Sequence, residues 1–304
     1  KGLHTLLNCA RRKIMILADA GVWASRPPAD RLYAALNREE NPGEIQKKTL
    51  VFIRSGKSEQ DEEKRLVGKS DSKLSEEGRK GLSLLAADGR YPETDRYYTS
   101  GLVRARESLS VLFPEAENKL EKTAFNEADL GPLEAAERED PETREMIRAW
   151  YEGKALDPAI ESRKALLERA NDAVKELLDE LERLSLTGAS IITHQLLMKV
   201  YYDSLANKPL NDTLYFCHGG GFKAEYRRIG RKWKPAKLEL LPDSLSENES
   251  ECREKMRRRR EAAERKAAEK NGGEEAAEET RAERTETAEE KEAASENADS
   301  ESQE

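Results

Sequence analysis

The sequence predicts an α/β fold: a three-layer sandwich with helices on both sides of a mainly parallel central sheet. Two observations carry this. Thr49-Leu50-Val51-Phe52-Ile53 is an unbroken apolar run rich in β-branched residues, the pattern of a strand buried on both faces. Short apolar runs then alternate with segments of helical periodicity, the order that βα units impose on a chain. A sharp change in composition sets the limits of this folded part. Of 304 residues 37% are hydrophobic and 38% charged, too polar for one globule of that length. The segment from Ser244 to Glu304 holds 12 Lys/Arg against 20 Asp/Glu and so accounts for the whole net charge of −8. What precedes it is formally neutral.

Residues 1–47 read as an N-terminal extension. Through Ala18 it carries Lys1, Arg11, Arg12 and Lys13 and no acid, with Leu6, Leu7, Ala10, Ile14 and Leu17 at helical spacing. An amphipathic helix and an organellar targeting segment (residues 1–18) both fit that pattern. Residues 48–243 form the domain. After the first strand, Ser75 is placed to cap a helix through Leu82, Leu84 and Leu85. Arg96 to Thr99 reads as a second strand, followed by a helix from Leu102 to about Leu112. A long amphipathic pattern covers Ala159 to Leu184, with Leu166, Ala170, Val174, Leu177 and Leu181 on its stripe. A turn at Thr187-Gly188, a strand over Ser190–Thr193 and a helix through Val200 to Leu205 follow. Leu214 to Phe216 and Phe222 to Tyr226 read as an antiparallel edge pair joined at Gly219-Gly220-Gly221. Residues 244–304 are a charged tail: a solvated helix with Glu254/Arg258 and Glu261/Arg265 at i,i+4 spacing, then a disordered segment beyond Asn271. The basic run Arg257–Arg260 fits a solvated helix face better than a nucleic-acid patch.

Cys9, Cys217 and Cys252 lie far apart, with no CxxC or Cys/His cluster, which argues against zinc and against a disulfide scaffold. A reducing compartment, and with it a cytoplasmic location, is the simplest expectation. No apolar run approaches the roughly 20 residues that span a bilayer. Neither a membrane nor nucleic acid is therefore an expected partner.

Ligand sites in open parallel sheets lie at the carboxyl ends of strands. The first strand ends in Arg54-Ser55-Gly56-Lys57-Ser58, the second in Thr99-Ser100-Gly101-Leu102-Val103-Arg104-Ala105-Arg106, which offers Arg104 or Arg106, the third in Thr193-His194-Gln195. Gly56-Lys57-Ser58 invites a P-loop, but that pattern needs a glycine where Val51 stands. Two arginines and a histidine emerging at one edge instead make an oxyanion pocket. His218, between Cys217 and Gly219, is read as turn chemistry rather than as a metal or catalytic group.

Five ordered motifs resemble those of the histidine phosphatases, the phosphoglycerate-mutase-like superfamily. Arg54-Ser55-Gly56 stands for Arg-His-Gly, with Ser58 two residues on. Gly68 to Gly78 keeps Gly-x-x-Asp-x-x-Leu-Ser-x-x-Gly. Ser100 to Ala105 keeps Ser-x-Leu-x-Arg-Ala, selecting Arg104 over Arg106. Asn126-Glu127 opens the Asn-Glu-x-x-x-Gly segment that ends at Gly131, and Thr193-His194 matches the second histidine motif, with Gln195 for glycine. The resemblance implies that Arg54, Arg104, His194, Ser58 and Asp61 surround a phosphoryl group, that Glu127 donates the proton, and that no cofactor is used. Ser55 then stands in the slot of the histidine that becomes phosphorylated. A serine hydroxyl without a base or metal is a weak nucleophile, so the implied function is phosphate-ester binding with impaired turnover. Asp61, where the family often has asparagine, would repel an anion unless it points away or pairs with Arg65. The implied partner is a phosphorylated small molecule or phosphoprotein. A slow phosphomonoesterase, and a scaffold acting through the charged tail, are the alternatives.

Overall fold

The structure, a computed structural model, describes residues 46–265 apart from 118, 208, 210–213, 247–249, 253, 256, 260 and 263–264. The helix expected within residues 1–18 and the disorder expected beyond Asn271 lie outside the described residues. Strand β1 (Lys47–Arg54) sits inside a six-stranded sheet with β2 (Arg96–Thr99), β3 (Lys119–Glu121), β4 (Gly188–Thr193), β6 (Gly221–Ile229) and β7 (Lys232–Leu240). The order is β3-β2-β4-β1-β6-β7, with a separate two-stranded pair of β5 (Tyr215–Phe216) and β8 (Leu245–Ser246). β1 to β4 run parallel, whereas β6 and β7 are antiparallel.

The apolar run of β1 is buried on both faces, as a strand between two helical layers must be. Leu50 and Phe52 join a core with Leu166, Ala170, Val174 and Leu177 of helix α5 (Arg163–Arg183) and Leu197 and Tyr201 of α6 (Gln195–Leu205). Val51 and Ile53 point the other way, into a cluster with Leu82 and Leu85 of α2 (Glu76–Ala87) and Leu109 and Leu112 of α3 (Val103–Leu112). This period-two alternation makes the three layers, each such side chain contributing about 1.5–3 kcal/mol on burial. Ser75 starts α2 by accepting from Gly78 N–H, and Ser162 starts α5 by accepting from Ala165 N–H. Two further helices flank the site: short α1 (Glu59–Glu62) and α4 (Pro141–Tyr151), the latter capped by Asp140.

Two sequence expectations need correction, and one strand went unread. Leu214–Phe216 and Phe222–Tyr226 do not pair with each other. β5 pairs with β8, while β6 lies between β1 and β7. β7 escaped notice because Lys-Trp-Lys-Pro-Ala-Lys-Leu-Glu-Leu is mostly exposed, and an edge strand carrying lysines and Pro235 shows no apolar alternation. The cysteines are not all unlinked: Cys217 and Cys252 form a disulfide across 35 residues. Spacing could not show it, because the pairing depends on Ser244 returning to β5, where its carbonyl accepts from Cys217 N–H at 2.7 Å. The chain after Ser244 is further tied to the domain by Arg259, which bonds Asp88 at 3.0 Å and also contacts Asp243. Arg258 pairs with Glu254 at 3.0 Å, the expected i,i+4 contact.

Register now places the site. Arg54 lies opposite Thr193 and Ile192 opposite both Ile53 and Thr99. The residues that follow, Ser55, Ser100 and His194, therefore emerge side by side at one edge. Gly221 allows β6 to close over β1, since a Cβ there would sit 1.9 Å from the Phe52 carbonyl oxygen.

Candidate active site

Where β1 ends, Ser55 N–H donates to the Thr193 carbonyl (2.8 Å) and Gly56 N–H to Ser108 Oγ (2.9 Å). Ser58 caps α1 through a reciprocal box. Asp61 N–H donates to Ser58 Oγ (3.2 Å), while Ser58 N–H and Oγ–H both reach Asp61 Oδ2 (3.0 and 2.8 Å). Ser58 is thus fully committed to Asp61. The other Asp61 oxygen takes Arg138 Nη2 at 2.8 Å. Of the two alternatives, pointing away or pairing with Arg65, the pairing is not formed: Asp61 pairs with Arg138, and Arg65 bonds Glu63 at 3.1 Å. Burial works against the Asp61 charge, but His218, Arg54, Arg138 and the Ser58 N–H together hold its carboxyl well below the usual range.

Arg104, on the first turn of α3, is buried and aimed inward. Its Nη groups donate to the carbonyls of Gly68 (2.6 Å) and Ser70 (2.8 Å), and its Nε–H donates to His194 Nδ1 at 3.2 Å. Arg106 faces out, toward the Gly101 carbonyl and Glu121. A guanidinium cannot accept, so His194 Nδ1 carries the lone pair and the ring proton sits on Nε2, donating to Ser100 Oγ at 2.7 Å. Ser55 Oγ lies 3.4 Å from the same Nδ1. Burial, Arg104 and Arg54 push the His194 imidazole well below its ordinary value, so it is neutral at pH 7.

Glu127 is also buried, and its carboxyl caps α6. Oε2 accepts from Leu196 N–H (2.9 Å), and Oε1 accepts from Leu197 and Ala128 N–H (both 3.0 Å). Burial raises its affinity for a proton against those three donors and Arg104. Three of about four acceptor positions on a carboxylate are filled, leaving one on Oε2 where a proton can sit.

A cleft of about 380 Å³ opens over this edge, lined by Arg54, Asp61, Glu127, Arg138, Arg144 and His218 among others. A larger cavity of about 560 Å³ is lined by Lys57 and Glu77 and shares His218 and Cys252 with the cleft. The smaller one is the candidate site, since it holds Arg54 and Glu127 and the larger holds neither. Arg54 reaches across it to the Phe216 carbonyl (2.6 Å), and Gln195 Oε1 accepts from Phe216 N–H (3.0 Å). Among the described residues no group of three or more His, Cys, Asp or Glu side chains is placed to hold a metal ion, and no helix is long and apolar enough to cross a membrane.

The five elements that carry Arg54, Ser58, Arg104, Glu127 and His194 match a family pattern over most of the domain: the model of the histidine phosphatase superfamily (branch 1) covers residues 50–221. The chain belongs to that superfamily. Solved structures agree on the fold. Mycobacterial hydrolase 2 is similar with a TM-score of 0.56 and 19% identity, covering 69% of this chain and 96% of its own. Phosphoglycerate mutase from Bacillus anthracis has a TM-score of 0.54 at 17% identity, over 64% and 93%. A mycobacterial glucosyl-3-phosphoglycerate phosphatase has 0.52 at 19%, over 65% and 98%. At these identities the likeness concerns the fold alone. No curated protein matches the sequence.

Within this histidine phosphatase fold, the sequence-derived residues fall into two groups. Ser55, Arg104 and His194 meet at one nitrogen, whereas Arg54, Asp61 and Glu127 border the cleft. Arg138, Arg144 and His218 were not expected there. Arg138 and Arg144 come from the stretch after Gly131, which carries no motif, and His218 was read only as part of a turn.

Proposed function

We propose that this histidine phosphatase superfamily member binds phosphate esters in the cleft beside Arg54 and turns them over slowly. The observation that carries this reading is the Arg104 Nε–H on His194 Nδ1 at 3.2 Å. That nitrogen is the nearest base to Ser55 Oγ, and its lone pair already receives a charged donor. To deprotonate Ser55 the ring would have to become a cation beside two guanidiniums. A serine left protonated is a poor nucleophile for phosphorus. The anion-binding elements remain: Arg54 on the wall, and Arg104, able to neutralise charge on phosphoryl oxygens if it exchanges its carbonyl partners. Glu127, with one open acceptor position, is the group we assign as proton donor.

Hydrolysis of p-nitrophenyl phosphate by the wild type, Ser55→His and Arg54→Ala tests the reading. Ser55→His is expected to raise turnover by about 100-fold or more, since nucleophile and pocket act as a unit. Orthovanadate should raise the melting temperature of the wild type but not of Arg54→Ala. A wild type as fast as Ser55→His rejects the impairment. No vanadate effect on the wild type rejects the binding site.

A further inference from the structure

Beside its charged groups, the cleft at Arg54 is bordered by Leu66, Val67, Ile147, Tyr151, Leu214 and Tyr215. All six are half-buried, so apolar surface stays open to the cleft where the core leaves off. Leu66, Ile147 and Tyr151 pack against that core, which makes the wall a fixed one. Ile147 and Tyr151 lie one turn apart at the end of α4. The Tyr151 ring meets Trp150 edge-on at 5.3 Å and carries Lys199 Nζ at 5.5 Å from its centroid. Gln195, which accepts from Phe216 N–H, stands beside the Tyr151 hydroxyl.

The outer cations of the cleft are already matched. Arg138 pairs with Asp61 at 2.8 Å, and Arg144 pairs with Glu139. A second anionic group on a ligand would have to displace one of these carboxylates, leaving it unpaired beside the ligand. An uncharged apolar body breaks neither pair and takes the open wall out of water. The volume of about 380 Å³ is at the small end of small-molecule pockets, roughly 300–1,000 Å³. Two tyrosines on the lining favour a flat ring over an aliphatic chain, since rings gain from stacked or edge-on contact beyond the area they bury.

We propose that this cleft selects phosphate monoesters of small, uncharged aromatic alcohols, with Ile147 and Tyr151 as its specificity-determining residues. This deepens the phosphate-ester reading of the cleft and rests on it. The phosphoryl group lies toward Arg54, and the ring of the alcohol packs on the end of α4.

Phosphonates test this without interference from turnover, because their C–P bond is not hydrolysed. Calorimetric titration of the full chain would compare methylphosphonate, benzylphosphonate and phosphonoacetate, which differ in having no further body, an aromatic body or a second anion. Orthovanadate thermal shifts would be run in parallel. Benzylphosphonate is expected to bind about tenfold tighter than methylphosphonate, and phosphonoacetate no tighter than methylphosphonate. Ile147→Asn and Tyr151→Leu should each lose most of the preference for benzylphosphonate while keeping the affinity for methylphosphonate. Benzylphosphonate binding no tighter than methylphosphonate overturns the inference, as does phosphonoacetate binding tightest, in either case with the vanadate shift intact. A peptide carrying phosphonomethyl-phenylalanine that binds more tightly than benzylphosphonate overturns the small-ester class in favour of a phosphoprotein. An unchanged preference in both folded variants overturns the assignment to α4. If the wild type shows no vanadate shift, the phosphate-ester reading itself falls. The order of the three ligands on the wild type decides the substrate class even if the variants fail to fold.

Discussion

Arg104 Nε donates to His194 Nδ1 across 3.2 Å, and this contact sets the charge state of the buried site. A protonated His194 would turn an N–H against another N–H and place a third cation beside Arg54 and Arg104. The imidazole is therefore kept neutral by geometry as well as by burial.

Acid should destabilise the fold through its buried histidines. His194 is held well below 6.5 and His218 at about 3, so the unfolded chain binds more protons than the folded one below about pH 6.5. Stability present above that pH is lost as pH falls. Each histidine contributes up to about 1.4 kcal/mol per pH unit, partly offset by Glu127, whose raised value acts with the opposite sign. Urea midpoints measured from pH 7 to pH 5 should drop steadily, and His218→Gln should flatten the slope. A flat profile for the wild type would contradict the assigned protonation states.

Glu127 has a structural duty separable from any chemistry. Glu127→Ala leaves the N–H groups of Ala128, Leu196 and Leu197 without their acceptor, at about 1–3 kcal/mol for each buried group. Glu127→Gln keeps an acceptor oxygen and is expected to lose less stability while losing the proton donor. Equal destabilisation in urea melts would argue against the capping role.

Asp61 stands between two arginines in the cleft. Asp61→Asn should tighten orthovanadate binding by about tenfold, or roughly 1.4 kcal/mol, because a carboxylate beside the anion is removed. Losing the Arg138 partner should cost about 3 kcal/mol of stability. Titration followed by intrinsic fluorescence would report the affinity, and weaker binding would place the anion away from Asp61.

The Cys217–Cys252 bond closes a 35-residue separation. Cys252→Ser should lower stability by roughly 2–4 kcal/mol through the freed unfolded chain. The comparison is a urea melt of the variant against the oxidised wild type, with a dithiol-reduced wild type expected to match the variant. A Cys252→Ser midpoint equal to that of the oxidised wild type would exclude a stabilising crosslink.

Much of this protein is legible in one dimension. The β1 run, the cap at Ser75 and the stripe of α5 follow from local rules of periodicity and capping. Strand ends then localise Arg54, Arg104 and His194 to one edge, because parallel strands of similar register deliver their carboxyl ends together. Tertiary structure alone decided which atoms meet. The Asp61–Arg138 pair joins residues 77 apart, and the Cys217–Cys252 bond depends on β8 returning to β5. The proton on His194 is placed by Arg104, and that on His218 by a carbonyl of β1's end. Such long-range contacts have no sequence period, since they are set by loop paths and by the shared burial of groups far apart along the chain.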